Sequence, residues 1–111
     1  DQRGCPTYAE DLAGVIGFLV SGGHHGIFHG TNAGTTTWFG LARQIALADG
    51  ADQERIIPCT SSEYPTAAVR PACSILRSTR LEAAGCPPRR SWAEAVNRYL
   101  KFLDSGQAFH P

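Results

Sequence analysis

Residues Gly26 to Ala42 read GIFHGTNAGTTTWFGLA. Four glycines, a run of threonines and an aromatic pair admit two readings: a glycine-rich phosphate loop, or a strand, a turn and a capped helix. A dinucleotide fingerprint requires G-x-G-x-x-G directly after a strand and opening a helix. Gly23, Gly26 and Gly30 have another spacing, and their context is reversed, with a helical pattern before Gly22 and an extended one after Gly26. The second reading therefore holds. Gly26–Gly30 is expected as a short strand and Thr31–Gly34 as a turn. Thr35 or Thr36 caps a helix carrying Trp38, Leu41, Ala42, Ile45 and Ala48 at helical spacing, and Asp49-Gly50 stops it. The free N–H groups and hydroxyls at that helix start keep an anion contact open near Thr35–Thr37.

Working outward, Thr7-Tyr8-Ala9-Glu10 has the form of a capping box, in which hydroxyl and carboxylate satisfy free N–H groups reciprocally. It predicts a helix with Tyr8, Leu12, Val15, Ile16 and Leu19 on one face, ended by Ser21-Gly22-Gly23. Arg55–Thr60 is expected as a second strand, at an edge because of Pro58. Ser61–Pro71 is expected as an ordered loop and Cys73–Leu76 as a third extended piece. Thr79–Glu82 is another capping box, opening a short helix closed by Gly85 and Pro87-Pro88. Ser91–Glu94 is a third, before a helix with Trp92, Ala95, Val96, Tyr99, Leu100 and Leu103 on one face. The fold class expected is α/β, a small helix-rich domain with short strands over residues 1–111, with a loose tail at 105–111.

The chain has 111 residues, 42% of them apolar, and balances 10 Lys and Arg against 10 Asp and Glu. A net charge of zero argues against nucleic acid or an anionic membrane surface as partner. The longest apolar run, Val15–Val20, is broken by Gly17 and is too short to span a bilayer. Cys5, Cys59, Cys73 and Cys86 form no CxxC pair. Their even number leaves three disulfide pairings open, but the apolar or proline neighbours of three of them favour buried thiols in a reduced, cytoplasmic protein. A chain that begins at Asp1 and has no methionine is expected to be a piece of something longer.

His24, His25 and His29 lie across a turn and a strand rather than on one helical face, so no metal is expected there. No G-x-S-x-G elbow is present, and a small hydrolase built on the Cys and His content has only chance pairings behind it. Of Glu10, Asp11, Glu63, Glu82 and Glu94, three are explained as cap partners. Arg70 stands apart. It lies in the ordered loop directly before Pro71, downstream of Tyr64-Pro65, and its planar fork of donors suits a diphosphate.

Several separated motifs then agree with one family. Asp1-Gln2-x-Gly4-x-Pro6-Thr7-Tyr8-x-x-Asp11-Leu12-Ala13 resembles the start of the C-terminal region of dTDP-4-dehydrorhamnose reductases. Gly26–His29 with Gly34–Phe39 and Ala42 resembles that family's strand-turn-helix. Arg55–Pro58, Thr60–Thr66 and Arg70-Pro71-Ala72-x-Ser74-x-Leu76 resemble its long loop, and Leu81, Gly85 and Trp92–Leu100 complete the pattern. The resemblance implies an extended short-chain dehydrogenase/reductase whose complete form reduces a dTDP-4-keto-6-deoxy-L-hexose to dTDP-L-rhamnose. It implies NADPH, with Mg2+ as a further candidate, in that complete form and no cofactor in this chain. Neither a cofactor fingerprint nor a Tyr-x-x-x-Lys pair is present here, so no catalytic residue is expected and the chain alone should be inactive. The implied role is nucleotide-sugar binding by a domain without the Rossmann domain it normally packs on. The exposed seam invites self-association. Arg70 matches the Arg-Pro position near the diphosphate, and Gln2, Thr7, Tyr8, Trp38 and Tyr64 are the other substrate-side candidates. The competing implication is a non-catalytic interaction module, as among the regulatory subunits of methionine adenosyltransferase that share the fold.

Overall fold

The computed structural model describes residues 1–106. Four helices carry the architecture: α1 (Ala9–Ser21), α2 (Trp38–Ala48), the short α3 (Thr79–Ala83) and α4 (Trp92–Asp104). The sheet has two strands of two residues each, β1 (Arg3–Gly4) and β2 (Thr36–Thr37), paired antiparallel with Arg3 opposite Thr37 and Gly4 opposite Thr36. The expected helix-rich α/β class with short strands is the one found.

β1 is fastened on both edges. Beyond its ladder to β2, the Arg3 N–H donates to Ala72 O at 2.9 Å and its carbonyl accepts from Ser74 N at 2.9 Å. A second clamp ties the turn before β2 to the start of α4. Ala33 N donates to Arg90 O at 3.0 Å and Trp92 N to Ala33 O at 2.9 Å.

The capping boxes had different fates. Ser91 and Glu94 form theirs in full, each side chain accepting from the other's backbone N–H. Thr7 does not cap α1. The N-cap is Tyr8, without a side-chain cap bond; the Thr7 hydroxyl donates to Cys5 O at 3.0 Å, and Glu10 takes Arg98 at 2.8 Å. α3 is preceded by Ser78, again without a side-chain cap bond, so Thr79 is its first residue rather than its cap. For α2 the cap is Thr37, one residue later than expected, accepting from Gly40 N at 3.0 Å. The glycine stops hold: Gly23, Gly50 and Gly85 take φ of 64°, 72° and 83° after their helices, a conformation without penalty only for glycine.

The strands expected at Gly26–Gly30 and Arg55–Thr60 are absent. A strand exists only as half of a ladder, and Gly26–Gly30 makes no backbone-to-backbone hydrogen bond among the described residues. Its polar groups are met from the side: Arg80 Nη1 donates to Ile27 O at 3.1 Å, and the His29 ring lies 3.2 Å from Arg77 O. Arg55 ends a 3-10 turn (Gln53–Arg55), and the chain then runs irregularly to Thr60. Of Cys73–Leu76, Cys73 alone bridges to β1.

The buried core is small. Val15, Ala46, Leu81 and Ala95 are its apolar members, together with Asn32 and Ser78. α2 packs on α4, with a hydrogen bond of 3.1 Å from Gln44 to Asn97 between them. The expected inward face of α1 is partly covered: Val15 is buried and Tyr8 and Leu19 are half-buried, but Leu12 and Ile16 are 40% and 54% exposed, and Val20, four residues after Ile16 and not among those expected inside, is 75% exposed. The radius of gyration, 16.2 Å, exceeds the roughly 13 Å of a compact domain of this length. Ser105 caps α4; the rest of the expected loose tail, from residue 107, lies outside the described residues.

Candidate functional site

Three adjoining clefts account for every candidate residue. The first, of 420 Å³, lies between β1, β2, the start of α2 and the Arg70-Pro71 segment, with Arg3, Thr37, Leu41 and Ser74 in its walls. The second, of 480 Å³, runs from the same ridge across Phe39, Ile57, Thr60, Ser61 and Tyr64. Gln2, Trp38 and Arg70 line both. These three come from the N-terminus, the first turn of α2 and the long loop, so only the folded chain brings them together.

Local structure explains the ridge. The ladder to β2 fixes β1, and with it Gln2 beside the cap of α2. Trp38 is the first residue of α2 and stays 66% exposed, unlike the core tryptophan that a helix-start Trp usually is. The second cleft's loop is tied to the N-terminus. The Asp1 carboxylate accepts from Ser61 N at 3.1 Å, and Gln2 Nε2 donates to Ser61 Oγ at 3.4 Å. Within the loop Glu63 holds Thr60, accepting from its N–H at 2.6 Å and its hydroxyl at 2.8 Å. These bonds keep the Glu63 carboxyl below the usual carboxylate range.

Thr7 and Tyr8 lie apart from that ridge. They line a third cleft, of 330 Å³, with Pro6, Trp92, Ala95, Val96 and Tyr99. Pro6 also lines the first cleft, so the two adjoin there. The Tyr8 and Tyr99 rings sit 5.5 Å apart, tilted at 57°. Burial, then the neighbouring Glu10 carboxylate, pushes the Tyr8 hydroxyl above its ordinary value. It therefore holds its proton at neutral pH and is not set up as a base.

Sequence reasoning passed over Arg3. It lines the first cleft with Arg70, and no Asp or Glu lines that cleft. The available signal was a cation between Gln2 and Gly4, in a strand too short to be read from periodicity.

The glycine stretch is not a phosphate cradle. A Cβ on Gly26 would meet the Arg80 guanidinium at 2.9 Å, one on Gly30 would meet Val15 at 3.0 Å, and one on Gly34 would meet Trp92 at 3.1 Å. Side chains of the chain itself thus pack against Gly26, Gly30 and Gly34. Among the described residues no three His, Cys, Asp or Glu side chains gather as metal ligands. His24 stacks against Phe18 at 5.3 Å. All four thiols are free, but none is buried as expected: Cys59 and Cys73 are exposed and Cys5 and Cys86 half-buried, because these segments lie outside the small core. No helix among the described residues is long and apolar enough to cross a membrane.

Comparison with known proteins gives a consistent picture. The family model described as RmlD substrate binding domain matches residues 1–105. The dTDP-4-dehydrorhamnose reductase of Mycolicibacterium smegmatis is 45% identical over 97 residues, covering 86% of this chain and 30% of that protein. The crystal structure of a dTDP-4-dehydrorhamnose reductase from Clostridium acetobutylicum superposes with a TM-score of 0.86 at 34% identity, over 94% of this chain and 37% of that one. That of the Bacillus anthracis reductase, determined in complex with NADP, gives 0.82 at 30% identity, over 90% and 35%. The chain thus spans about a third of the length of the relatives it matches.

Proposed function

The chain belongs to the RmlD substrate binding domain family, and on that premise we propose that it is the dTDP-sugar-binding part of a cytoplasmic dTDP-4-dehydrorhamnose reductase-like oxidoreductase. The observation that carries this is the convergence of Gln2, Trp38 and Arg70 on the ridge shared by two clefts. Arg70 takes the diphosphate, for which its bidentate fork is suited. Trp38 offers an exposed aromatic face to a ring of the ligand, and Tyr64 forms the far wall of the second cleft. Gln2 supplies an amide between them. Thr7 and Tyr8, beyond Pro6, bound the adjoining cleft and contribute an outer wall.

In the complete enzyme this arrangement binds and orients the nucleotide sugar. NADPH would supply the hydride there, held by residues outside this chain, whose sequence carries no dinucleotide fingerprint. A site shared by two domains loses a wall when one stands alone, so the affinity of this chain for its ligand is weak and its turnover nil.

NMR titration of the chain with dTDP and dTDP-glucose, with CMP as control, tests the reading. Shifts specific to dTDP at Arg70, Trp38 and the Ser61–Pro71 loop support it. Their absence at millimolar ligand favours the second reading, a non-catalytic interaction module of the same family. The observation behind that alternative is the open apolar stripe of Leu12, Ile16 and Val20 on α1, with Ile27 at 77% exposure. Exposed apolar residues aligned along one helix face suit a contact with a partner surface. The Rossmann domain of a complete reductase is the partner proposed for it, and a second copy of the chain takes its place when that domain is missing.

A further inference from the structure

We infer that Arg3 is a second anion-binding residue, which shares the first cleft with Arg70 and contacts the diphosphate together with it. The inference rests on the nucleotide-sugar reading and adds to it a specific residue that the long-loop arginine does not need. Arg3 and Arg70 come from different segments, one on β1 and one on the loop before Pro71, and both line the same 420 Å³ cleft. Four other arginines are engaged by acids, while Arg55 and Arg77, which do not line this cleft, have no ion pair among the described residues either. Arg43 lies 3.7 Å from Glu54, Arg89 lies 3.7 Å from Glu82, Arg90 lies 2.8 Å from Asp11 and Arg98 lies 2.8 Å from Glu10. The side chains of Arg3 and Arg70 make no ion pair and no hydrogen bond among the described residues.

Two unpaired guanidinium groups lining one cleft carry like charge, and no carboxylate lines that cleft to offset it. An anion bound to both offsets that charge through two charge-assisted contacts. A diphosphate matches the pair better than a monophosphate, because it offers two charged groups a few ångströms apart. The main chain of Arg3 is pinned by the β2 ladder and by Ala72 and Ser74. The side chain is therefore presented from a fixed base, and its removal leaves those backbone bonds intact.

Isothermal titration of the chain, Arg3→Gln, Arg3→Lys and Arg70→Gln with inorganic pyrophosphate, inorganic phosphate and dTDP tests this. Loss of one charge-assisted contact is expected to weaken pyrophosphate and dTDP about tenfold in Arg3→Gln. Arg3→Lys should recover part of that loss, and phosphate should bind more weakly than pyrophosphate throughout. Unchanged pyrophosphate and dTDP binding in Arg3→Gln overturns the inference and leaves the nucleotide-sugar reading standing. Arg3-dependent binding of pyrophosphate without binding of dTDP keeps the anion clamp and defeats that reading. Failure of the parent chain to bind pyrophosphate at all overturns the clamp.

Discussion

The side-chain oxygen of Asn32 accepts the backbone N–H of Tyr8 at 2.7 Å, across 24 residues of sequence. The same side chain donates from Nδ2 to Asp11 Oδ2 at 2.7 Å and to Arg90 O at 3.2 Å, and the residue is 2% exposed. One amide thus fastens the entry of α1, its first turn and the strand-like segment before α4. Asp11 in turn pairs with Arg90 Nε at 2.8 Å. Replacing Asn32 by Ala leaves the Tyr8 N–H without its partner and Asp11 with one contact fewer. The expected cost is about 2–3 kcal/mol, read as a lower midpoint in urea unfolding. A loss under about 0.5 kcal/mol would show that water or a shifted side chain replaces the amide.

Leu81 has no accessible surface. In so small a core its truncation to Ala should cost about 2–5 kcal/mol. Thermal unfolding followed by circular dichroism checks this, with Leu76→Ala, at a site 45% exposed, as the mild comparison.

The capping box of α4 is complete, so Ser91→Ala should cost about 1 kcal/mol. Ser91→Asp retains an acceptor at the cap and should cost less than Ser91→Ala.

Three exposed carboxylates set the acid response. Glu94 is held below its ordinary value first by the Ser91 backbone N–H, Glu63 by that of Thr60, and Glu10 by Arg98. A depressed folded value means stability that is present in full above the ordinary carboxylate range and lost as pH falls through the folded values. The melting temperature should therefore hold on going from neutral pH to about pH 5 and decline below about pH 4. Glu94→Gln should flatten part of that decline. An unchanged profile in the variant would mean that the box contributes nothing to the pH dependence.

The open stripe on α1 gives a concentration-dependent prediction. Sedimentation of the parent chain should show self-association, reduced in Ile16→Ser. A monomer at every concentration, in parent and variant alike, would argue against the seam.

Exposed Trp38 should report ligand directly. Its emission should change on adding dTDP and not CMP, and Arg70→Gln should shift the midpoint about tenfold. A CMP response equal to that of dTDP would remove the specificity claimed for the ridge.

The helices were legible because their signals are local. Ser91 and Glu94 stand three apart, Trp92 to Leu103 keep the helical period, and Gly23, Gly50 and Gly85 supply the φ that ends a helix. The family was legible for a related reason, since Gly26–Ala42 and Arg70-Pro71 each keep their own short pattern. The strands were not. Gly26–Gly30 has the composition of a strand and no ladder neighbour among the described residues, whereas Arg3–Gly4 has no strand pattern at all and pairs with Thr36–Thr37 because the fold brings them together. The site shows the same division. Arg70 could be singled out by residue type, and Gln2, Trp38 and Tyr64 through the family resemblance; Arg3 could not, because its place in the cleft depends on that pairing.

By itself, then, the sequence determined where helices start and stop, and which side chains carry charge and aromatic surface. Both depend on neighbours three or four residues away. The tertiary structure alone decided which side chains share a wall. Tyr8 and Thr7 went to the cleft against α4, Arg3 joined Arg70, and part of the apolar side of α1 stayed open. Contacts between residues tens of positions apart are set by how elements pack, and no local period encodes that.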